Sequence, residues 1–127
     1  MTTEKQNTGK LGEDVAVKYL GKHGYEILER NYRKPWGEID IVAQETVGRT
    51  RELVFIEVKA QNINFEWRPE ENITFHKKRQ LSKIVATYLK GHKIPESQDW
   101  RIDVLALKLD FETKNAQVEH IKNIMLN

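Results

Sequence analysis

A chain of 127 residues is long enough for one domain with one core and too short for two. With 39% hydrophobic and 31% charged residues it reads as a globular chain with a heavily charged surface, and no apolar run approaches the length of a membrane span. The lack of cysteine excludes disulfides and thiolate zinc sites, while 21 Lys and Arg against 19 Asp and Glu, a net charge of +2, do not by themselves mark a nucleic-acid binder.

The N-terminal MTTEKQNTGK has no hydrophobic signal region, so a cytoplasmic location and no membrane partner are expected. Residues 1–8 are expected to form a disordered polar tail ahead of a single domain over 9–127. Leu11 to Gly21 has helical spacing, with Leu11, Val15, Ala16, Tyr19 and Leu20 as the apolar stripe and Gly24 as a stop. Glu13 borders that stripe, because Ala16, Val17 and Leu20 follow it at i+3, i+4 and i+7. From sequence alone it is an ordinary first-turn acid favoured by the helix dipole. Tyr25 to Tyr32 reads as the first strand. Arg30, Arg33 and Lys34 then cluster ahead of Pro35, Trp36 and Gly37. Two readings stay open there: contact with a phosphate backbone, or a solvated turn with Trp36 covering the core.

The stretch from Gly37 to Lys59 carries the chemistry. GEIDIVA and LVFIEVKA are β-rich runs joined by a polar surface loop over Gln44 to Glu52. Asp40 lies inside the first run, Glu57 and Lys59 inside the second. Residues i and i+2 share a strand face, so Glu57 and Lys59 point the same way, about 7 Å apart at their Cα atoms. If the runs pair as a hairpin, Asp40 can lie beside Glu57. Charges in such a half-buried place need a partner. One reading is a structural ion pair. The other is a divalent-metal site in which two carboxylates give hard oxygen ligands to Mg²⁺ and a lysine positions a water or a phosphate.

After Lys59 a long irregular stretch carries Phe65, Trp67 and Arg68, residues suited either to gripping a nucleic acid or to packing the loop down. Thr74 to Lys90 reads as the second helix, with Thr74 as N-cap and Leu81, Ile84, Val85, Tyr88 and Leu89 as its stripe. Lys77, Lys78, Arg79 and Lys83 crowd its first half, where acids are normally preferred, and there they suit an anion. Trp100 to Leu109 reads as a strand with Ile102, Val104 and Ala106 on one face and Asp103, Leu105 and Leu107 on the other. Asp103 is expected to make a structural hydrogen bond or to pair with a lysine. Asp110 to Lys114 reads as a turn and Gln117 to Ile124 as an edge strand. There His120 is a surface or packing residue, with no second histidine to build a metal site. The order is helix, three strands, helix, two strands: an α/β or α+β fold with a mixed central sheet and helices against it.

GEID followed by EVK on a hairpin resembles the core of the PD-(D/E)XK nuclease superfamily, with Asp40 as the D and Glu57-Val58-Lys59 as the E-x-K. The motifs GxxGExxAxxYL, GYxILxxNYR, GEIDIVA, FIEVKA and RIDVLAL resemble, in order and spacing, the YraN-like family of small bacterial proteins, from Gly9 to the end of the chain. That family is predicted to contain nucleases related to Holliday junction resolvases. The resemblance implies a restriction-endonuclease-like fold and metal-dependent cleavage of DNA, with branched or otherwise structured DNA as substrate. It implies Asp40, Glu57 and the helix-one glutamate Glu13 as ligands of Mg²⁺ or Mn²⁺, and Lys59 as the fourth catalytic residue. Lys77 matches a basic position of the family motif, and Gln80 resembles a helix glutamine of some related nucleases. Arg33, Lys34, Lys77, Lys78 and Arg79 are the expected nucleic-acid contacts. Symmetric junction cutting needs two sites, so a homodimer is the expected assembly for that activity. Two readings of other classes stand beside this one: a binding module with a vestigial nuclease site, and a protein-interaction domain using the edge strand near Val118.

Overall fold

Apolar residues on both faces of the middle strands dictate a layered fold, because each face must be covered. The computed structural model describes residues 4–62 and 75–124. Its elements are α1 (Glu4–Lys22), β1 (Glu26–Lys34), β2 (Gly37–Val47), β3 (Thr50–Asn62), α2 (Phe75–Gly91), β4 (Trp100–Asp110) and β5 (Asn115–Ile121). The strands form one five-stranded sheet in the order β1-β2-β3-β4-β5. Pairing is antiparallel except between β3 and β4, which run parallel with α2 as the crossover between them. This mixed α+β architecture is the expected one and is compatible with a restriction-endonuclease-like fold.

The two helices cover opposite faces. Ala16 and Leu20 of α1 pack with Ile41, Ala43, Val54, Ile56, Leu105, Leu107 and Leu109. Leu81, Ile84, Val85 and Tyr88 of α2 pack with Ile39, Val42, Leu53, Phe55 and Ile102. On β3 the alternation is regular: Val54 and Ile56 face α1, Leu53 and Phe55 face α2. Glu57 and Lys59 therefore continue the α2 face.

On β2 the alternation breaks at the rung of Asp40. Ile41 packs with the α1 layer, yet Ile39, two residues earlier, packs with the α2 layer. β1 changes face at the same height. Arg30 bonds to Glu13 and Asp14 on α1, whereas the Tyr32 ring meets Tyr88 of α2 edge-on, with centroids 5.1 Å apart. Arg30 pairs with Ile41 and Tyr32 with Ile39, so Asn31 and Asp40 share the rung between. Asn31 has φ 55°, the left-handed region that asparagine tolerates better than most residues, and this lets the chain change face in one step.

Several boundaries differ from the sequence expectation. α1 starts at Glu4, so the tail expected over 1–8 is helical from there on. Its buried line runs through Gly12, Ala16 and Leu20, and Leu11 is left exposed. The surface loop expected over Gln44 to Glu52 is mostly strand: β2 and β3 stay paired to Val47 and Thr50. Only Gly48 and Arg49 turn, with Gly48 at φ 63° supplying the positive angle that tight hairpins need at their first central position. β5 ends at Ile121. The second-helix stripe is as expected, with Leu81, Ile84, Val85 and Tyr88 all buried. Phe65, Trp67, Arg68 and the Thr74 cap lie outside the described residues.

Gly12 fixes how close α1 comes to the sheet. A Cβ placed there would sit 2.5 Å from Cβ of Ala60 on β3. Gly12→Ala should therefore destabilise the fold by about 1–3 kcal/mol through overpacking. Gly9→Ala on the same helix meets nothing within 4 Å and should gain up to about 1 kcal/mol from helix propensity. Urea denaturation of the two variants checks this; equal stabilities would contradict the close contact.

Candidate active site

The site forms where the sheet comes apart. β2 and β3 are paired from Val47 and Thr50 down to Ile41 and Ile56, and the pairing stops there. β3 continues alongside β4 as far as Asn62. Asp40 is the next residue of β2 and Glu57 the next of β3. The backbone N–H of Val58 donates to Asp40 Oδ2 at 2.8 Å, so a side chain takes over from the missing strand partner.

Glu57 is almost fully buried, at 4% exposure. Its Oε1 lies 3.5 Å from Lys59 Nζ and 3.1 Å from Lys77 Nζ at the start of α2. Its Oε2 is buried and has no hydrogen-bond partner among the described residues. Asp40 is pushed up to about 7. Burial contributes most, followed by the negative charge of Glu57 and, more weakly, that of Glu38. The Val58 N–H and the Lys77 ammonium act in the opposite direction. The pair envisaged from sequence is thus brought together, and Lys59 shares the face of Glu57 as strand geometry requires.

A buried carboxylate oxygen without a partner is costly. A hard divalent cation is the kind of partner that carboxylate oxygens suit, and Mg²⁺ commonly uses one or two carboxylates together with waters and substrate phosphates. Asp40 and Glu57 match that donor set. Among the described residues no group of three His, Cys, Asp or Glu is close enough to hold an ion with protein ligands alone. Glu13 reaches the rung of Asp40 from α1, but one strand away. Its Oε1 accepts from Arg30 Nε at 3.0 Å and from Asn31 Nδ2 at 2.8 Å. Glu13 is not among the charges that shift Asp40.

Three of the five expected nucleic-acid contacts line one groove of about 410 Å³: Arg33, Lys34 and Lys77, together with Trp36, Glu38 and Gln80. Lys77 joins that groove to Glu57. Lys78 and Arg79 are on α2 but do not line it. Arg30, grouped with Arg33 and Lys34 on sequence proximity, is on the α1 face instead, because the chain changes face at Asn31. Glu38 was missed as a site residue; it bonds to Arg33 Nε at 2.8 Å and pushes Asp40 up. Its position two residues before Asp40 in GEID was the available signal. The Val58 N–H carries no sequence signal at all.

Asp103, fully buried, belongs to a separate cluster on the α1 face. It accepts from Arg101 Nε at 3.0 Å, from the Asn123 backbone N–H at 2.8 Å and from His120 Nε2 at 2.7 Å. Its expected structural role holds, with arginine and histidine as partners in place of lysine. Burial alone would raise its pKa, but the hydrogen bonds from His120, Arg101 and Asn123 hold it below the usual carboxylate value.

A model of the uncharacterised protein family UPF0102 matches residues 12–107. The chain belongs to this family. A UPF0102 protein of Pelobacter propionicus is 41% identical over 120 residues, covering 94% of this chain and 83% of the relative. One from Moorella thermoacetica is 40% identical over 122 residues, covering 96% and 98%. One from Roseiflexus castenholzii is 35% identical over 121 residues, covering 95% and 94%. All three sources are bacterial, as the YraN-like resemblance implied. The UPF0102 match takes in Glu13, Asp40, Glu57, Lys59 and Lys77. Among the described residues no helix is long and apolar enough to cross a membrane.

The raised pKa of Asp40 has a direct consequence for stability. Its folded value of about 7 stands above the ordinary 3.8, so the folded state holds the proton more tightly than the unfolded chain. The associated stability is complete below the ordinary value and is lost as pH rises from about 4 to about 7. Asp40→Asn cannot titrate. In EDTA its stability advantage over the parent protein should widen across that window and level off above it. Urea denaturation at a series of pH values measures the difference, and a constant gap would mean that Asp40 ionises normally.

Proposed function

We propose that this protein is a metal-dependent nuclease of the PD-(D/E)XK type that hydrolyses phosphodiester bonds in DNA, with branched or otherwise structured DNA as its substrate class. The observation that carries the reading is the buried Oε2 of Glu57, without a partner among the described residues, beside a second carboxylate, Asp40, where the sheet opens. A carboxyl pushed well above its ordinary pKa, as Asp40 is, is a frequent mark of a functional site. Asp40 and Glu57 are assigned as ligands of Mg²⁺ or Mn²⁺. Glu13, which reaches Asn31 on the neighbouring strand from α1, would be a third donor only once its oxygen is released from Arg30 and Asn31. The bound ion would supply Lewis-acid polarisation of the phosphoryl oxygens and lower the pKa of a coordinated water. Lys59, beside Glu57, orients that water or meets the charge that develops on the phosphoryl oxygens. Arg33, Lys34 and Lys77, with Lys78 and Arg79 further along α2, neutralise backbone phosphates on the approach to the site.

One observation favours a second reading, nucleic-acid binding without cleavage. Lys59 and Lys77 already offset the charge of Glu57, as they would in a purely structural ion cluster. The two readings differ in metal affinity.

Cleavage of labelled duplex, single-stranded, flap and four-way-junction DNA with Mg²⁺ or Mn²⁺ tests the proposal. Glu57→Ala and Lys59→Ala should each reduce cleavage about a hundredfold or more. Mn²⁺ should raise the melting temperature of the parent protein and not of Glu57→Ala, since a ligand bound only by the native state stabilises it. Cleavage that survives both substitutions would remove the assignment. DNA binding with no Mn²⁺ effect and no cleavage would establish the second reading.

A further inference from the structure

Trp36 is the most exposed large hydrophobic residue among the described ones, at 49%, and yet it is held in place. Its indole N–H donates to Thr87 Oγ1 at 3.1 Å. The Thr87 hydroxyl in turn donates to the Lys83 carbonyl at 2.9 Å, so its proton is committed and a lone pair is left for the indole. The ring is therefore tied to the C-terminal part of α2 while keeping about half its surface in water. A side chain that merely covered the core would bury more of this area.

Its surroundings are cationic. Trp36 lines the same groove as Arg33, Lys34 and Lys77, and Lys77 reaches Glu57 at 3.1 Å. The volume of about 410 Å³ falls in the range of small-ligand pockets, roughly 300–1,000 Å³. Cations alone would suit the phosphates of any nucleic acid. A fixed aromatic face adds something a duplex cannot use, because paired bases are stacked and offer only their edges in the grooves. Unpaired bases have a free face, and stacking on an aromatic side chain tolerates any sequence.

We propose that Trp36 is a stacking platform for an unpaired nucleotide adjacent to the Asp40–Glu57 site, so that the preferred substrate has a single-stranded segment next to the bond to be cut. Arg33, Lys34 and Lys77, which line the same groove, hold the flanking phosphates. Thr87 is a positioning residue that fixes the indole. This inference rests on the nucleic-acid reading of the site and narrows its substrate class.

The test is binding of the full chain in EDTA, where cleavage does not interfere. Fluorescence anisotropy would follow three labelled DNAs: a fully paired duplex, the same duplex with a single-stranded flap, and a single strand. The parent protein should bind the flap and the single strand more tightly than the duplex. In Trp36→Ala and Trp36→Leu the ratio of flap to duplex affinity should fall about tenfold, the order expected for one lost base stack, and Trp36→Phe should restore most of it. Thr87→Val, which frees the indole, should lower the ratio by a smaller factor. 2-Aminopurine in the flap should be quenched on binding the parent protein and not on binding Trp36→Leu. An unchanged ratio in both non-aromatic variants, or equal affinity of the parent protein for flap and duplex, would overturn the inference and leave the nuclease reading standing. If the parent protein binds none of the three DNAs, the nucleic-acid reading itself fails and the inference falls with it.

Discussion

The hydrogen bond from the Val58 N–H to Asp40 is the contact on which the candidate site depends. Two strands that had been exchanging backbone hydrogen bonds part at this point, and the first unpaired donor on β3 is met by a carboxylate from β2. The bond holds Asp40 in the gap between the strands. It also brings the Asp40 charge close to Glu57, the residue before Val58 on β3. Burial and then the neighbouring charge of Glu57 disfavour the ionised form of Asp40, which holds its proton to near neutral pH. Lys59 and Lys77 limit that cost by sharing one oxygen of Glu57, and the other oxygen has no partner among the described residues.

The Arg101 cluster shows what a satisfied acidic site looks like in the same protein. Arg101 meets Glu45 at 2.7 Å, Glu52 at 3.4 Å and Asp103 at 3.0 Å, and it donates to the Tyr25 hydroxyl at 2.9 Å. Asp103 also takes His120 and the Asn123 N–H. The Asp103 carboxyl is thus held below its ordinary pKa, whereas the Asp40 carboxyl is pushed above it. Both lie on the same sheet and both are shielded from water. The difference is hydrogen bonding: the cluster on the α1 face supplies donors to its acid, and the opening between β2 and β3 supplies one backbone N–H. Fully satisfied networks fix a structure; an unsatisfied carboxylate pair has capacity left for a ligand.

Around that opening the layers are set by close contacts. Gly12 lets α1 approach Ala60, a residue beside Lys59, and so holds β3 from the α1 side. On the other face α2 contributes Leu81, Ile84 and Tyr88 to the core and Lys77 to Glu57. One helix therefore anchors both the packing and the charge balance. Trp36, bonded to Thr87, closes the same unit from the β1–β2 turn.

Local pattern was enough to determine much of this. The Val, Ile and Phe content of GEIDIVA and LVFIEVKA makes them strands, strict alternation puts Glu57 and Lys59 on one face, and the Leu81 to Tyr88 spacing gives the buried line of α2. The D…E-x-K spacing marked Asp40, Glu57 and Lys59, and motif order pointed to the family that the chain belongs to. What depends on residues distant in sequence was decided only by the tertiary structure. Arg30 stands next to the groove-lining cations in sequence, but the change of face at Asn31 turns it to Glu13 and Asp14. Leu11 has the apolar character of a core residue, yet the approach of Gly12 to Ala60 rotates the buried line away from it. The raised pKa of Asp40, the unpartnered oxygen of Glu57 and the tethered indole of Trp36 each arise where separate elements meet. Periodicity along one strand or helix records which way a side chain points; what it meets there is set by the other strands and helices, and only the folded chain fixes that.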